Sequence, residues 1–519
     1  MSRLKNYTRG LASGYAVLAV NVVYTLVSLR IAWAHLSEEA FGVWVLSLIV
    51  AGYIAFVDLG MGSSLARMLI DHKDEKSDGV YGGMIKTGML VFLIQGLIVL
   101  IAGVALSFLL PGWLKIPGDL QDEFFWLMIG QTTIVMLGFQ TRIFNQILYA
   151  HQRMDLQHIA QIAQFGVNLF LLWRCFHAGL GVYSLLVAQF GGWLVLVSLC
   201  IWSCRSCGLL PQPGKWGRAN RRQFRELFAY GQDIFWIGLG TQFITTSQAI
   251  VISHTLGVKT AAIWAVVTKA FTLVTQLVFK TIGIAAPILG EMHSRGERER
   301  LRDRHRVLFR TISAFSGWCA VVFVFCNRPF LAIWMEGEVS WATHHDWLLG
   351  FWLILLTQQG IHSNLIMAVK QIKGLKLAYL GEGSAIVVGG LLFFGARGMD
   401  WLIGWSIVCT FFFTSCYSVW RVRAMFGLSF ATLLWEWQKS FLGIVAVLLP
   451  LGWVVNLSVA AAGAMAQFIV LGLVLGLVGA AFFLRLVLPE EWSEKLQDHL
   501  PSAMRPLFRI VCGRKVALL

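Results

Sequence analysis

The sequence predicts an all-α polytopic membrane protein with about fourteen membrane-spanning helices. Three observations carry that prediction. Hydrophobic residues fill 57% of the 519 positions and charged residues only 13%, where a soluble domain carries about a quarter. The apolar residues also gather in runs of about 18 or more, long enough to cross a bilayer as helices. The connections between runs then alternate between basic and nearly free of Lys and Arg, as the positive-inside rule requires.

In chain order the runs are 11–34, 40–65, 84–110, 124–149, 157–178, 181–203, 229–255, 260–287, 308–333, 347–369, 376–396, 399–420, 438–457 and 459–488. Arg3, Lys5 and Arg9 precede the first, as in a signal peptide. That run continues to Ala34 with no small-residue cleavage site after a short core, so it reads as an uncleaved first helix. The basic connections are the N-terminus, 66–83, 150–156, 204–228, 288–307, 370–375, 421–437 and the tail 489–519. The others, 35–39, 111–123, 256–259, 334–346 and 397–398, are short and poor in Lys and Arg. Both termini are therefore expected on the cytoplasmic side.

The same rule accounts for the net charge of +15. No basic run is backed by a separately folding domain, so nucleic acid is not an expected partner. Two cytoplasmic stretches are strongly basic. Residues 205–226 read as a Pro-containing linker ending in an interfacial helix, and 291–310 as a solvated helix with interleaved charges. Either could meet lipid headgroups or act as a topology determinant. Cys200, Cys204 and Cys207 lack further ligands at metal-binding spacing and read as reduced structural thiols; no metal, cofactor or catalytic residue is predicted.

The chain repeats itself. Trp44 matches Trp264 at an offset of 220, and 148–160 resembles 366–378 at an offset of 218. Both latter segments are a helix end, a short polar turn and a new helix. Two parallel six-helix bundles follow, 1–204 and 229–420, joined by a basic linker, 205–228. Two additional helices, 421–488, and a cytoplasmic tail, 489–519, complete the domain plan.

Charges inside the spans carry the functional information, because each costs about 2.5–3.5 kcal/mol or more at the bilayer centre. On the eighth span Lys269, Thr272, Gln276 and Lys280 form one polar stripe, with Lys269 deep and Lys280 near the inner end. Lys280 could equally snorkel to the interface. Arg30 lies in the outer third of the first span and Arg142 in the inner third of the fourth. Arg30, Arg142, Lys269, Gln276 and Lys280 are the candidate lining of a cationic cavity for an anionic, hydrogen-bonding substrate such as a phosphate ester. The carboxylates Asp58, Asp233 and Glu382 are candidates for ion coupling or gating, with Asp233–Lys280 a possible gate and Asp58 within depth of Arg142 or Lys280. For His362 and the uncharged polar residues, interhelical hydrogen bonding is the expected role.

Phe41–Gly42 after the acidic turn at 37–40, then Asp58-Leu59-Gly60 and Arg67, resemble the polysaccharide-transport branch of the multidrug/oligosaccharidyl-lipid/polysaccharide flippase superfamily. These are the Wzx-type O-antigen and exopolysaccharide-repeat flippases. The polar turn at 150–156 and the twofold six-helix plan agree with it; an Arg-Asp-rich first helix, as in lipid II flippases, is missing. The resemblance implies a V-shaped pair of bundles around a cationic cavity in the bacterial inner membrane. Its implied cargo is a polyprenyl-diphosphate-linked glycan, moved by alternating access and driven by a coupling ion, H+ or Na+. Membrane lipids, a glycan polymerase and chain-length proteins are the partners it suggests. Two alternatives compete. A drug or cation antiporter should have an anionic lumen, against the cation excess here. A glycan polymerase or ligase should have a large outward loop, and the longest here is about 15 residues, so no enzyme is expected.

Overall fold

The computed structural model describes residues 3–58, 60–72, 79–284 and 286–488, with the backbone alone at 3–12, 15, 63, 67, 71, 226–234, 284, 286–288 and 394–397. All regular structure among the described residues is helical. The chain forms two compact units, Met1–Val266 and Val267–Leu519. It is a multi-pass membrane protein: among the described residues twelve helices are long and apolar enough to cross a bilayer, and one broken pair makes a thirteenth.

The first unit contains α1 (Arg3–His35), α2 (Glu38–Ile54), α3 (Met61–His72), α4 (Val80–Trp113), α5 (Gln121–Ala150), α6 (Met154–His177), α7 (Tyr183–Ser206), α8 (Arg221–Leu256) and α9 (Val258–Val267), whose end is the unit boundary. Local chemistry sets these ends. Ser37 Oγ accepts the Ala40 N–H at 3.1 Å and Glu38 and Glu39 occupy the first turn of α2, where carboxylates favour the helix dipole. Asn220 likewise accepts the Arg222 N–H at 2.9 Å. From that cap α8 runs unbroken to Leu256, so the interfacial helix expected at the end of the linker is the first part of the seventh span. The linker itself is docked: Lys86 Nζ donates to the Gly217 carbonyl at 3.0 Å, and the Asn220 N–H donates to Thr87 Oγ1 at 3.1 Å.

The second unit contains α10 (Lys269–Ile284), α11 (Ala286–Ser294), α12 (Arg298–Trp334), α13 (Thr343–Ala368), α14 (Ile372–Thr410, kinked at Gly398), α15 (Cys416–Phe426), α16 (Lys439–Ser458) and α17 (Ala464–Phe482). A π-helical turn, Phe411–Ser415, joins α14 to α15. Each of the fourteen apolar runs lies mainly on helix, with interruptions at Gly60 in the run 40–65, at Thr268 in 260–287 and over 459–463 in 459–488. The run at 347–369 is α13, whose His344, His345, Asp346, Gln358, Gln359 and His362 dilute its apolarity while α12 and α14 pack against it. The two C-terminal helices pack on α12, where Ile444, Leu448, Leu471 and Leu475 form a core with Ala314, Val321 and Phe325. A Cβ on Gly479 would collide with the Trp318 indole. Gly479→Val should therefore lower stability by about 1–3 kcal/mol through overpacking, read as an earlier thermal unfolding transition in detergent.

The repeat is visible in the backbone. Helix α2 starts at Glu38 and α9 at Val258, 220 positions on. The turns α5–α6 and α13–α14 place Gln152 (φ 57°) and Lys370 (φ 60°), 218 positions apart, in the left-handed region. Lys115 (φ 55°) and Glu336 (φ 52°) follow the ends of α4 and α12 in the same way. Non-glycine residues rarely adopt this conformation, so its recurrence marks one turn design used twice.

Candidate functional sites within the two units

The second span, expected as one helix over 40–65, is broken in the middle. Helix α2 tightens into a 3-10 turn at Ala55–Asp58, and Gly60 adopts φ 69° before α3 begins at Met61. Glycine meets that conformation without the penalty of about 1–2 kcal/mol that an L side chain carries there. Gly60→Ala should accordingly reduce stability by roughly that amount, measured as a lower unfolding temperature in detergent.

A break inside a bilayer frees backbone groups, and each must find a partner. Gln95 Nε2 on α4 donates to the carbonyls of Val57 and Asp58, at 3.0 Å each. Asp58 Oδ1 accepts the Gly62 N–H at 3.3 Å, which caps the N-terminus of α3 with a carboxylate. The same oxygen lies 3.0 Å from Arg142 Nη1 on α5. The guanidinium rests on Gly62, where a Cβ would come within 3.1 Å of Arg142 Cζ. The intramembrane carboxylate thus has both a helix N-terminus and a cation.

The pair is asymmetric. The Arg142 side chain is 40% exposed and that of Asp58 16%. Both line a cavity of about 480 Å³ inside the first unit, walled by Gly52, Phe56, Gly138, Phe139 and Phe235 among others. That volume lies within the range of small-ligand pockets, about 300–1,000 Å³. The cavity can offer a bound group a cation, aromatic walls and close backbone approach at its glycines. Arg30, on α1, is partly exposed and does not line it.

In the second unit the four polar residues of the stripe lie on α10. At about 100° per residue, Lys269, Thr272, Gln276 and Lys280 share one side of the helix. Phe271, Val278 and Ile282 are buried on the opposite side, and α10 packs on α12 and α13. Gln276 is exposed and the other three stripe residues are partly exposed. The stripe is therefore turned away from the core of its own unit.

Glu382 on α14 is fully buried. Thr410 Oγ1 donates to Glu382 Oε1 at 2.6 Å, and Thr414 Oγ1 donates to Oε2. Thr414 lies in the π-helical turn and Thr410 just before it, a type of distortion common at functional sites. The Trp352 indole in turn donates to Thr410 Oγ1 at 2.9 Å. Among the described residues no cation pairs with Glu382. The side chain of Asp233, the third candidate carboxylate and the expected partner of Lys280, lies outside the described residues.

Several other polar residues serve packing. His362 is buried, bonded to His305 at 3.1 Å and stacked on Phe309. Gln358 and Gln438 exchange amide hydrogen bonds at 3.1 and 2.8 Å, tying α13 to the start of α16. The Cys200 thiol donates to Asn145 Oδ1 at 3.2 Å, as a structural thiol should. Sequence reasoning missed Gln95, Thr410 and Thr414. A lone amide in an apolar run and two threonines one helical turn apart were the available signals.

Comparison with known proteins places this architecture. A family model described as polysaccharide biosynthesis protein matches residues 12–293, more than half of the chain and including the broken second span. The chain belongs to this family. No curated protein sequence matches it significantly. Solved structures share its fold at low identity. The lipid II flippase MurJ in an inward closed conformation aligns at TM-score 0.65 and 12% identity, covering 91% of this chain and 98% of its own. An inward-facing multidrug resistance MATE transporter of the MOP superfamily aligns at TM-score 0.66 and 12% identity, covering 78% and 95%. A MOP superfamily transporter from Pyrococcus furiosus, described by the reverse polarity of its binding pocket, gives 0.56 and 15%, covering 81% and 96%. This member of the polysaccharide biosynthesis family therefore has the fold of the MOP transporters, and the three matched proteins are transporters or a flippase, not enzymes.

Proposed function

We propose that the protein is a flippase that carries a polyprenyl-diphosphate-linked oligosaccharide from the inner to the outer leaflet of the bacterial cytoplasmic membrane by alternating access. The observation that carries this reading is the α10 stripe: two lysines and a glutamine on the side of a membrane helix opposite its packed face. A polar face of that kind requires water or a polar cargo, because lipid tails offer it no hydrogen bonds. A diphosphate is the cargo head that pairs of cations recognise best. Membership of the polysaccharide biosynthesis family supports a glycan as the rest of the cargo. Lys269 and Lys280 in the second unit and Arg142 in the first are the proposed phosphate ligands, with Arg30 and Gln276 as further contacts.

Ion coupling is assigned to the carboxylates. With Asp58 ionised, Arg142 is held at 3.0 Å; a proton on Asp58 releases the guanidinium for phosphate. Glu382, held by two hydroxyls, is the proposed site of a proton or a sodium ion, and Asp233 is the remaining candidate. Both termini are cytoplasmic in this reading.

The test is genetic and chemical together. A strain deleted for the protein should accumulate lipid-linked oligosaccharide on the cytoplasmic side, and the wild-type gene should clear it. Lys269→Ala should reduce surface glycan by at least about tenfold, equivalent to roughly 1.4 kcal/mol, with Lys269→Arg retaining most of it. Export at wild-type level by a normally expressed Lys269→Ala variant would sink the assignment. Raised tolerance to cationic dyes, with glycan export unaffected by the deletion, would instead favour a drug antiporter.

A further inference from the structure

At one end of the second unit, apart from the transport residues, three metal-ligating side chains converge. His344 and His345 occupy the first turn of α13, and Asp400 follows the Gly398 kink in α14. The Nε2 atoms of His344 and His345 lie 2.7 and 2.9 Å from the same atom, Asp400 Oδ1. One donor atom from each residue falls within 4.8 Å of the others. From this geometry we infer that His344, His345 and Asp400 form a binding site for a divalent transition metal, with zinc the best-suited ion.

The donor set is two imidazole nitrogens and one carboxylate oxygen. Zinc takes these ligands at about 2.0–2.2 Å and commonly accepts three from protein with water in the fourth position. Imidazole selects such ions over magnesium or calcium, which demand oxygen cages. Without a metal, both rings point N–H groups at one carboxylate oxygen. A metal replaces those two hydrogen bonds, and each ring then carries its proton on Nδ1.

The surroundings hold the ligands in place. The Trp341 ring packs against His345 with centroids 4.5 Å apart and planes tilted by 46°, and its indole N–H donates to Asp346 Oδ1 at 2.9 Å. Asn327 Nδ2 donates to the same Asp346 oxygen at 2.7 Å, so the loop before α13 is fixed from below. The connecting segment 334–346 contains Glu336, Glu338 and Asp346 and no Lys or Arg, and the nearby cation Arg328 of α12 donates to Thr343 Oγ1 at 3.1 Å. His345 Nδ1 is buried without a hydrogen-bond acceptor. A missing second-shell partner typically weakens metal binding by about 10–100-fold, so the site should be reversible and not a permanent structural zinc. Occupancy would tie the start of α13 to the segment after the α14 kink. The metal thereby becomes a clamp on the ends of two spans, available only to ions on that side of the membrane.

The experiment uses the full chain with a tag that contains no histidine, purified in detergent, stripped with chelator and titrated with zinc chloride. The expected result is one zinc per chain by calorimetry and by elemental analysis after gel filtration. His344→Ala and Asp400→Asn should each weaken binding at least tenfold, and His72→Ala should leave it unchanged. Both ligand side chains are about 60% exposed (61% and 59%), and gel filtration reports whether the variants remain folded. Cobalt added in place of zinc should give the visible absorption of a four-coordinate site, lost in the double variant. Absence of zinc binding by the wild type, or equal binding by the His344→Ala/Asp400→Asn double variant, would overturn the proposal. Glycan export is not part of this readout, so the metal site and the flippase assignment fail independently.

Discussion

Arg142→Ala is expected to abolish most glycan export while leaving a folded protein. Removing one member of a fully buried ion pair typically costs about 3–5 kcal/mol. Here the arginine is 40% exposed, and solvent screening reduces the structural cost toward about 1 kcal/mol. The loss of a phosphate ligand is not discounted in that way, because it acts on the cargo and not on folding. A drop in export of tenfold or more, with an unfolding temperature within a few degrees of wild type, is the expected combination. Arg142→Lys should recover only part of the loss, since an ammonium lacks the bidentate fork that matches a phosphate.

Asp58→Asn supplies the complementary measurement. The amide oxygen can still accept the Gly62 N–H, so the cap on α3 survives while the charge disappears. Arg142 is then permanently released. Cargo binding should persist, and dependence of transport on the ion gradient should weaken. If Asp58→Asn instead unfolds the protein and Arg142→Ala does the same, the pair is a structural brace and its assignment to transport fails.

The second large effect is expected at Glu382. Glu382→Gln preserves volume, and the hydroxyls of Thr410 and Thr414 can rotate to serve an amide. The variant should fold, bind cargo and lose gradient-driven export by at least about tenfold, which is 1.4 kcal/mol. Glu382→Ala should behave differently. It opens a cavity and removes the acceptor of the Thr410 hydroxyl at a cost of about 1–3 kcal/mol, while Thr414 Oγ1 keeps the Thr410 carbonyl at 3.3 Å, so lower expression and a lower unfolding temperature are expected. Transport and thermal unfolding measured on both variants separate coupling from packing. Wild-type export with an intact ion dependence in Glu382→Gln would remove Glu382 from the mechanism.

The positions of these residues in the chain explain what could be foreseen. Asp58 stands out in sequence because a carboxylate conflicts with the apolar run around it. Arg142 and Glu382 stand out for the same reason. The stripe on α10 follows from spacing alone, since residues three and four apart share a helix face whatever the helix packs against. What spacing cannot reveal is which charges meet. Asp58 was within depth of either Arg142 or Lys280, and its partnership with Arg142 depends on the rotation of α5 and on the break at Gly60. Gln95, the amide that makes this break tolerable, was indistinguishable in sequence from an ordinary interhelical polar residue.

Sequence alone therefore determined the properties that add up over a window of about twenty residues: helicity, the approximate number of spans, and the repeat near 220. These depend on transfer free energies and helical period, which are local. The tertiary structure decided the break in the second span, the ion pair on its carboxylate, the threonine cradle of Glu382, and the convergence of His344 and His345 on Asp400. Each of those depends on the rotation of one helix against another. Rotation is set by side-chain packing between segments distant in sequence, and no hydropathy window contains it.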